Sequence, residues 1–198
     1  MKKTIPYNAV LIPDVAQRVF HGKLFDVFQW NQVLYDGSNT IFEMVRRPDT
    51  VVIIGIDDES DRLILVKDRQ PNKEAAIQFP AGRVEENDES WLGAARREMQ
   101  EETGYTFRNW KLVNVVQPEN KIEWFVAWYI AYDIEAKRQP NVDSGEDISV
   151  HLEEFSLVRQ HILDGSERLG YARHIFKDVQ SVDSLRQLCD YSGRITER

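Results

Sequence analysis

From about Arg18 to Glu43, aromatic and β-branched residues alternate with polar ones, and Asp36-Gly37-Ser38-Asn39 interrupts the alternation with turn chemistry. This pattern predicts an antiparallel hairpin or short meander. Residues 50–56, Thr-Val-Val-Ile-Ile-Gly-Ile, form a nearly continuous apolar run, as in a strand covered on both faces. An acidic turn over 57–61 then leads into Arg-Leu-Ile-Leu-Val-Lys-Asp over 62–68, a second hairpin. Pro71 to Glu74 reads as a loop and 75–79 as a short strand, stopped by Pro80-Ala81-Gly82. After Ser90, which suits an N-cap, the spacing becomes helical: Leu92, Ala95 and Met99 share one stripe, acidic residues another, and Gly104 ends the run. Residues 110–116 and 122–134 read as strands, the second rich in Trp, Tyr, Phe and Ile. A polar loop over 136–147 precedes a strand at 148–152, helical spacing over 153–165 with Gly165 at its end, a further helix over about 170–189, and a frayed tail over 190–198.

Strands, one acidic helix, more strands and then helices, without regular βαβ alternation, predict an α/β (α+β) architecture with a mixed sheet between helical layers. A chain of 198 residues supports one sizeable domain, or a core with a small appendage, and 42% hydrophobic with 29% charged residues is the composition of a folded domain. The net charge of -8 argues against a nucleic-acid partner, whose binding rests on neutralising phosphates with Lys and Arg. A small phosphorylated ligand held through a bound cation is compatible with that charge. The single cysteine, Cys189, excludes an internal disulfide and a Cys-rich zinc cluster, and reads as a small buried or tail residue. Pro6, Asn8 and Pro13 interrupt the N-terminal apolar positions, and no apolar stretch approaches the roughly 20 residues of a membrane span. A cytoplasmic protein without a membrane partner is expected.

The acidic stripe raises a chemical question. Glu98, Glu101 and Glu102 project from one helical face, where like charges three and four residues apart cost about a few tenths of a kcal/mol per pair. Solvent can screen that cost, or a cation can use it. Residues 80–105 contain no His or Cys, so a metal bound there would be a hard one such as Mg²⁺ that takes oxygen ligands. Energetics leaves both readings open.

The wider spacing is more specific. Arg97, Glu98, Met99, Glu101, Glu102, Gly104 and Tyr105, with Glu89 seven residues before Arg97, resemble the Nudix box, G-x5-E-x7-R-E-U-x-E-E-x-G-U with U a bulky apolar residue. One departure stands out: six residues, Arg83 to Asp88, separate Gly82 from Glu89 where the family has five. The extra residue precedes the helix, so it bears on the glycine loop and leaves the spacing of the helical carboxylates intact. The resemblance implies the Nudix fold and Mg²⁺, with Mn²⁺ as a substitute, held by Glu98 and Glu102, by Glu101 directly or through water, and by the Ala81 carbonyl. Arg97 would orient a glutamate by ion pairing.

Residues 17–180 more loosely resemble the ADP-ribose and nucleotide-sugar pyrophosphatase branch, through the β-rich N-terminal stretch, an Arg before the Pro-Ala-Gly loop, and Asp-Ser-Gly-Glu-Asp-Ile-Ser-Val at 143–150. In that branch metal-activated water splits a diphosphate linkage, giving a nucleoside monophosphate and a sugar phosphate. The resemblance implies Glu146 as general base, with Asp143 or Glu101 as alternatives, and Arg69 on the diphosphate, with Arg46 and Arg47 as further candidates. One of Phe25, Phe28 and Trp30 would stack on adenine, and Pro118 resembles a proline that the ADP-ribose enzymes carry after the box. It further implies a homodimer, residues 1–46 forming a dimerising extension and 47–198 the hydrolase domain. A nucleotide sensor without turnover and a nucleoside-triphosphate or dinucleotide pyrophosphatase are the competing readings.

Overall fold

The computed structural model describes residues 1–69, 74–141, 147–166 and 168–197. A short first strand, β1 (Lys3–Ile5), is followed by an antiparallel meander of β2 (Gln17–His21), β3 (Asp26–Val33) and β4 (Asn39–Arg46). The alternation from Arg18 onward is this meander, and Gly37 takes a left-handed φ of 82° in the turn joining β3 and β4. The apolar run becomes β5 (Thr50–Asp57), which turns back into β6 (Arg62–Arg69) with Gly55 opposite Ile64. Next come β7 (Ala76–Gln78), paired with β6, and β8 (Ala81–Arg83), paired with β5. The strand before Pro80-Ala81-Gly82 ends as expected, at Gln78, and Ala81 opens a separate strand. Pro80 accepts a hydrogen bond from the Ile53 amide through its carbonyl, at 2.9 Å, and carries the backbone into a new strand.

Helix α1 (Trp91–Thr103) starts at Ser90, whose hydroxyl accepts from the Gly93 amide, and ends at Gly104, which adopts the left-handed conformation that only glycine takes without strain. β9 (Tyr105–Val116) begins at once. It is followed by β10 (Ile122–Glu123) and β11 (Val126–Lys137), then β12 (Asp147–Glu154) and α2 (Phe155–Leu163). The expected single helix over 170–189 is three pieces: a 3-10 turn over Leu169–Ala172, α3 (Arg173–Phe176) and α4 (Val182–Arg186). The break has a local cause. Ser181 and Ser184 form a reciprocal capping box that starts a new helix, while the Val179 carbonyl accepts from Arg159 Nε at 2.7 Å. The tail is not frayed: β13 (Arg194–Thr196) pairs antiparallel with β1, and Lys3 lies opposite Thr196.

The central sheet has seven strands in the order β12-β6-β5-β11-β9, with β7 and β8 attached to β6 and β5. Its strands are mixed in direction, β11 running parallel to β5 and antiparallel to β9. Alternate residues of β5 serve opposite faces. Val51 and Ile53 pack with Met99, Ala95 and Trp91 of α1, while Ile54 and Ile56 pack with Phe155, Ile162 and Phe176 of the C-terminal helices. Helices thus cover both faces of the sheet. A second sheet, β10-β4-β3-β2, joins the meander to the rest of the chain through the parallel pairing of β10 with β4.

Buried Asp49 ties the parts together around α1. It accepts from Lys3 Nζ at 2.6 Å, from the Trp91 indole at 3.0 Å and from the Phe125 amide at 3.0 Å. Among the described residues no helix is long and apolar enough to cross a membrane. Cys189 is exposed.

Candidate active site

The acidic stripe of α1 faces β8. A Cβ added at Gly82 would stand 2.0 Å from Cδ of Glu98, so only glycine lets the backbone approach that carboxylate this closely. One residue earlier, the Ala81 amide donates to Glu102 Oε2 at 3.1 Å. The glycine loop therefore meets two of the three glutamates, and Ala81 does so through its N–H.

Arg97 supplies the positive charge on this face. Its guanidinium bonds both oxygens of Asp88, at 3.2 and 2.9 Å, Glu98 Oε1 at 2.8 Å, Glu101 Oε2 at 3.0 Å and the Arg83 carbonyl at 2.9 Å. The fork geometry of arginine makes this possible, since a lysine ammonium cannot reach so many planar acceptors. The Asp88 hydrogen bonds, then the charge and hydrogen bond of Glu98, hold the Arg97 pKa well above its ordinary value despite partial burial. Reciprocally, the Arg97 hydrogen bonds hold the Asp88 carboxyl below the usual carboxylate range.

Asp88 was not among the candidates read from the sequence. It is the last residue of the six-residue loop, where it accepts from the Glu85 amide at 2.8 Å while its own amide donates to the Glu85 carbonyl at 3.1 Å. The longer loop contains this closed turn, next to an exposed Glu89. The one available signal was an acid two residues before an N-cap serine, which is commonplace.

The donors presented toward the loop are carboxylate and backbone oxygens, with no imidazole or thiolate, a set that fits a hard divalent cation. Among the described residues no three His, Cys, Asp or Glu side chains converge as a ready ligand group. Instead, Glu98 and Glu101 share the Arg97 guanidinium and Glu102 holds the Ala81 amide.

Two cavities flank this region. One, of about 870 Å³, lies between the meander and the box loop and includes Phe28, Arg46, Arg47, Asp88 and Glu89 in its lining. Arg47 lies 4.4 Å over the Trp124 ring and 5.9 Å from the Phe25 ring. Burial, then the neighbouring charge of Arg83, keeps its pKa below the ordinary arginine value. The other cavity, of about 710 Å³, has the aromatic rings of Phe79, Trp124, Trp128 and Tyr171 among its walls, and it reaches Ala81. Sheet register explains the adjacency. Ala81 pairs with Val52 and Val52 pairs with Trp128, so these residues form a row across three strands. Pro118 lines this cavity, as do Gln78 and Arg168, whose side chains meet at 2.5 Å.

The other sequence candidates are dispersed. Arg69 is exposed at the end of β6, opposite Asp147. Trp30 sits on β3 beside Phe42, its indole donating to Gln32 at 3.1 Å, and it is not among the residues lining either cavity. Phe28 lies under the Arg46 guanidinium at 4.6 Å. Glu146 and Asp143 lie outside the described residues. Trp124 and Trp128, not singled out from the sequence, stand four residues apart in extended chain, a spacing that puts both on one face.

Comparisons with known proteins agree with this geometry. An ADP-ribose pyrophosphatase of Bacillus subtilis (strain 168) is 31% identical over 90 residues, 46% of this chain and 48% of the relative, so the chain spans about half of that protein's length. A methanol dehydrogenase activator of Bacillus methanolicus is 25% identical over 143 residues, 72% of this chain and 76% of the relative. The crystal structure of an ADP compounds hydrolase superposes with a TM-score of 0.62 at 19% identity, over 93% of this chain and 95% of the other, a likeness of fold. The NUDIX domain model matches residues 46–169, which include α1, its glycine loop and the aromatic cavity's strands, and the chain belongs to the NUDIX domain family.

Proposed function

We propose that the protein is a Nudix hydrolase that uses a divalent cation to split the diphosphate linkage of ADP-ribose or a related nucleotide sugar into a nucleoside monophosphate and a sugar phosphate. The observation that carries this reading is the fit of α1 against β8, with Glu98 packed on Gly82, Glu102 on the Ala81 amide, and Arg97 set between Glu98 and Glu101.

Glu98, Glu101 and Glu102, with the Ala81 carbonyl, are the residues that would hold Mg²⁺, or Mn²⁺ as a substitute. When bound, such an ion supplies Lewis acidity toward the diphosphate oxygens and acidifies water. The chain's own contribution is positioning and proton transfer. Arg97 orients Glu98 and Glu101 by ion pairing, and the close approach of Gly82 fixes Glu98 relative to the loop. Glu146 is assigned the role of base that takes the proton from the attacking water, with Glu101 or Asp143 as substitutes for it. Arg69 and Arg47 are assigned to the phosphate oxygens, where guanidinium forks bind bidentately.

The reading includes a cytoplasmic homodimer. Exposed Val19, Phe20 and Ile41 on the meander supply apolar surface for a second copy.

The test incubates purified protein with Mg²⁺, Mn²⁺ or EDTA and a panel of ADP-ribose, ADP-glucose, GDP-mannose, diadenosine polyphosphates, CoA and nucleoside triphosphates, with release of nucleoside monophosphate or phosphate as readout. Turnover of a nucleotide sugar with a divalent ion and none in EDTA is expected. No turnover of any member with any ion refutes the enzyme reading and favours a sensor. Glu102→Gln and Glu146→Gln are each expected to lower kcat by orders of magnitude with melting temperature retained.

A further inference from the structure

Among the described residues, two buried polar atoms of side chains lining the aromatic cavity have no hydrogen-bond partner: the indole Nε1 of Trp128 and the imidazole Nε2 of His174. Trp128 is 4% exposed, and the two rings meet edge to face with centroids 5.2 Å apart. An indole N–H can only donate. His174 Nδ1 lies 2.8 Å from the Tyr171 carbonyl, which can only accept, so the ring proton sits on Nδ1 and Nε2 of the neutral ring is an acceptor. Burial favours that neutral form. The residues lining the cavity thus include one unpaired donor and one unpaired acceptor, neither able to swivel as a hydroxyl does. Left dry, each would carry the cost of an unmade hydrogen bond.

Position narrows what could satisfy them. Trp128 stands two strand spacings, about 10 Å, from Ala81 along the row through Val52. That is the reach of one nucleoside from a diphosphate held at the glycine loop. The surrounding walls, Phe79, Trp124 and Tyr171, suit a flat ring more than a hydrated polyol.

We propose that Trp128 and His174 read the edge of the substrate's nucleobase, the indole N–H donating to a ring nitrogen or carbonyl and the imidazole Nε2 accepting from an exocyclic amine or ring N–H. The identity of the substrate rests on the diphosphatase reading above. The binding test does not.

AMP is titrated into metal-free protein by calorimetry, with ribose 5-phosphate as the control lacking a base. Wild type is expected to bind AMP at least about tenfold more tightly than ribose 5-phosphate. Trp128→Phe and His174→Asn, which keeps a donor toward the Tyr171 carbonyl, should each weaken AMP about tenfold and leave ribose 5-phosphate unchanged. The double variant should lose less than the product of the two, because both atoms read one edge.

The proposal is overturned if wild type shows no preference for AMP, if both wall variants keep wild-type AMP affinity, or if AMP and ribose 5-phosphate weaken together. Melting curves accompany each variant, and should Trp128→Phe fail to fold, His174→Asn decides. Turnover is measured separately. AMP binding through this wall without hydrolysis of any diphosphate upholds the inference and refutes the enzyme reading. Hydrolysis with wild-type KM in both wall variants does the reverse.

Discussion

Replacing Arg97 with methionine keeps the aliphatic stem and removes the charge shared by Asp88, Glu98 and Glu101. The magnitude follows from burial. Arg97 is 26% exposed, Asp88 9%, Glu98 13% and Glu101 42%. Breaking a fully buried pair costs about 3–5 kcal/mol and an exposed one about 0.2–1 kcal/mol. The Glu101 contact is of the second kind, whereas Asp88 and Glu98 lie between the limits. A loss of about 2–3 kcal/mol results, and for a chain of this size it lowers Tm by roughly 5–10 °C. The pH dependence supplies a second signature. The Arg97 hydrogen bonds depress the folded Asp88 pKa, so their stabilisation is complete above the unfolded value near 3.9 and is lost as pH falls through the folded value. The difference between wild type and Arg97→Met should therefore be constant from about pH 7 to 5 and narrow below about pH 4. Thermal and urea denaturation in EDTA at pH 7, 5 and 3.5 measure both effects. A Tm within about 1 °C of wild type at pH 7, or a difference that persists unchanged into acid, would refute the view of Arg97 as the counter-ion of this face. Arg97→Lys should recover only part of the loss, because an ammonium cannot reproduce the fork to Asp88.

Gly82→Ala separates the site from the fold: its Cβ would lie 2.0 Å from Glu98 Cδ, the end of a side chain that can move, so Tm should change by less than about 2 °C while kcat falls about a hundredfold through displacement of that carboxylate. Parallel melting and turnover measurements check this, and unimpaired kcat would sink it. Gly104→Ala should do the opposite, since φ is 76° and the added Cβ would meet the Arg138 carbonyl oxygen at 2.0 Å; urea denaturation should show a loss of about 3 kcal/mol or more. Burial lowers the folded pKa of His174, so the neutral ring's stabilisation is present above the unfolded value near 6.5 and is lost as pH falls toward the folded one. Wild-type Tm should accordingly decline between about pH 7.5 and 5.5 by an amount missing in His174→Asn, and identical slopes would refute this.

Legibility followed the range of the interactions involved. Helix α1 could be read from sequence because its determinants are local: the Ser90 cap, the 3.6-residue stripe and the left-handed Gly104 all lie within one short window. The strands at 50–57 and 62–69 were equally plain, since a run covered on both faces needs no knowledge of its partners. The β1–β13 clasp joins opposite ends of the chain, and neither three-residue strand carries a pattern of its own. The break between α3 and α4 was missed because the Ser181–Ser184 box interrupts no apolar periodicity. The polar wall of the aromatic cavity was hidden for another reason. Trp128 and His174 are far apart in sequence, and what distinguishes them is the lack of a partner, a property that exists only after the sheet has set Trp128 beside Val52 and the C-terminal helices have closed over it.

The same distinction accounts for the acidic stripe and for the six-residue loop before it. Three glutamates on one face posed a choice between solvent screening and a bound cation, and a charge that offsets two of them lies on the helix itself. Arg97 bonds Glu98 and Glu101 on the helix and Asp88 on the loop, so the six-residue loop ends in a carboxylate that holds the Nε and Nη2 edge of the guanidinium while the glutamates hold Nη1. A longer loop could have loosened the glycine strand. Here its turn is closed by Asp88 and Glu85, its start is held by the Val84 amide donating to the Asp49 carbonyl at 2.9 Å, and Asp49 is itself fixed to Trp91 at the head of α1. Loop and helix are therefore braced against each other at both ends, which keeps Ala81 and Gly82 against Glu102 and Glu98 despite the extra residue.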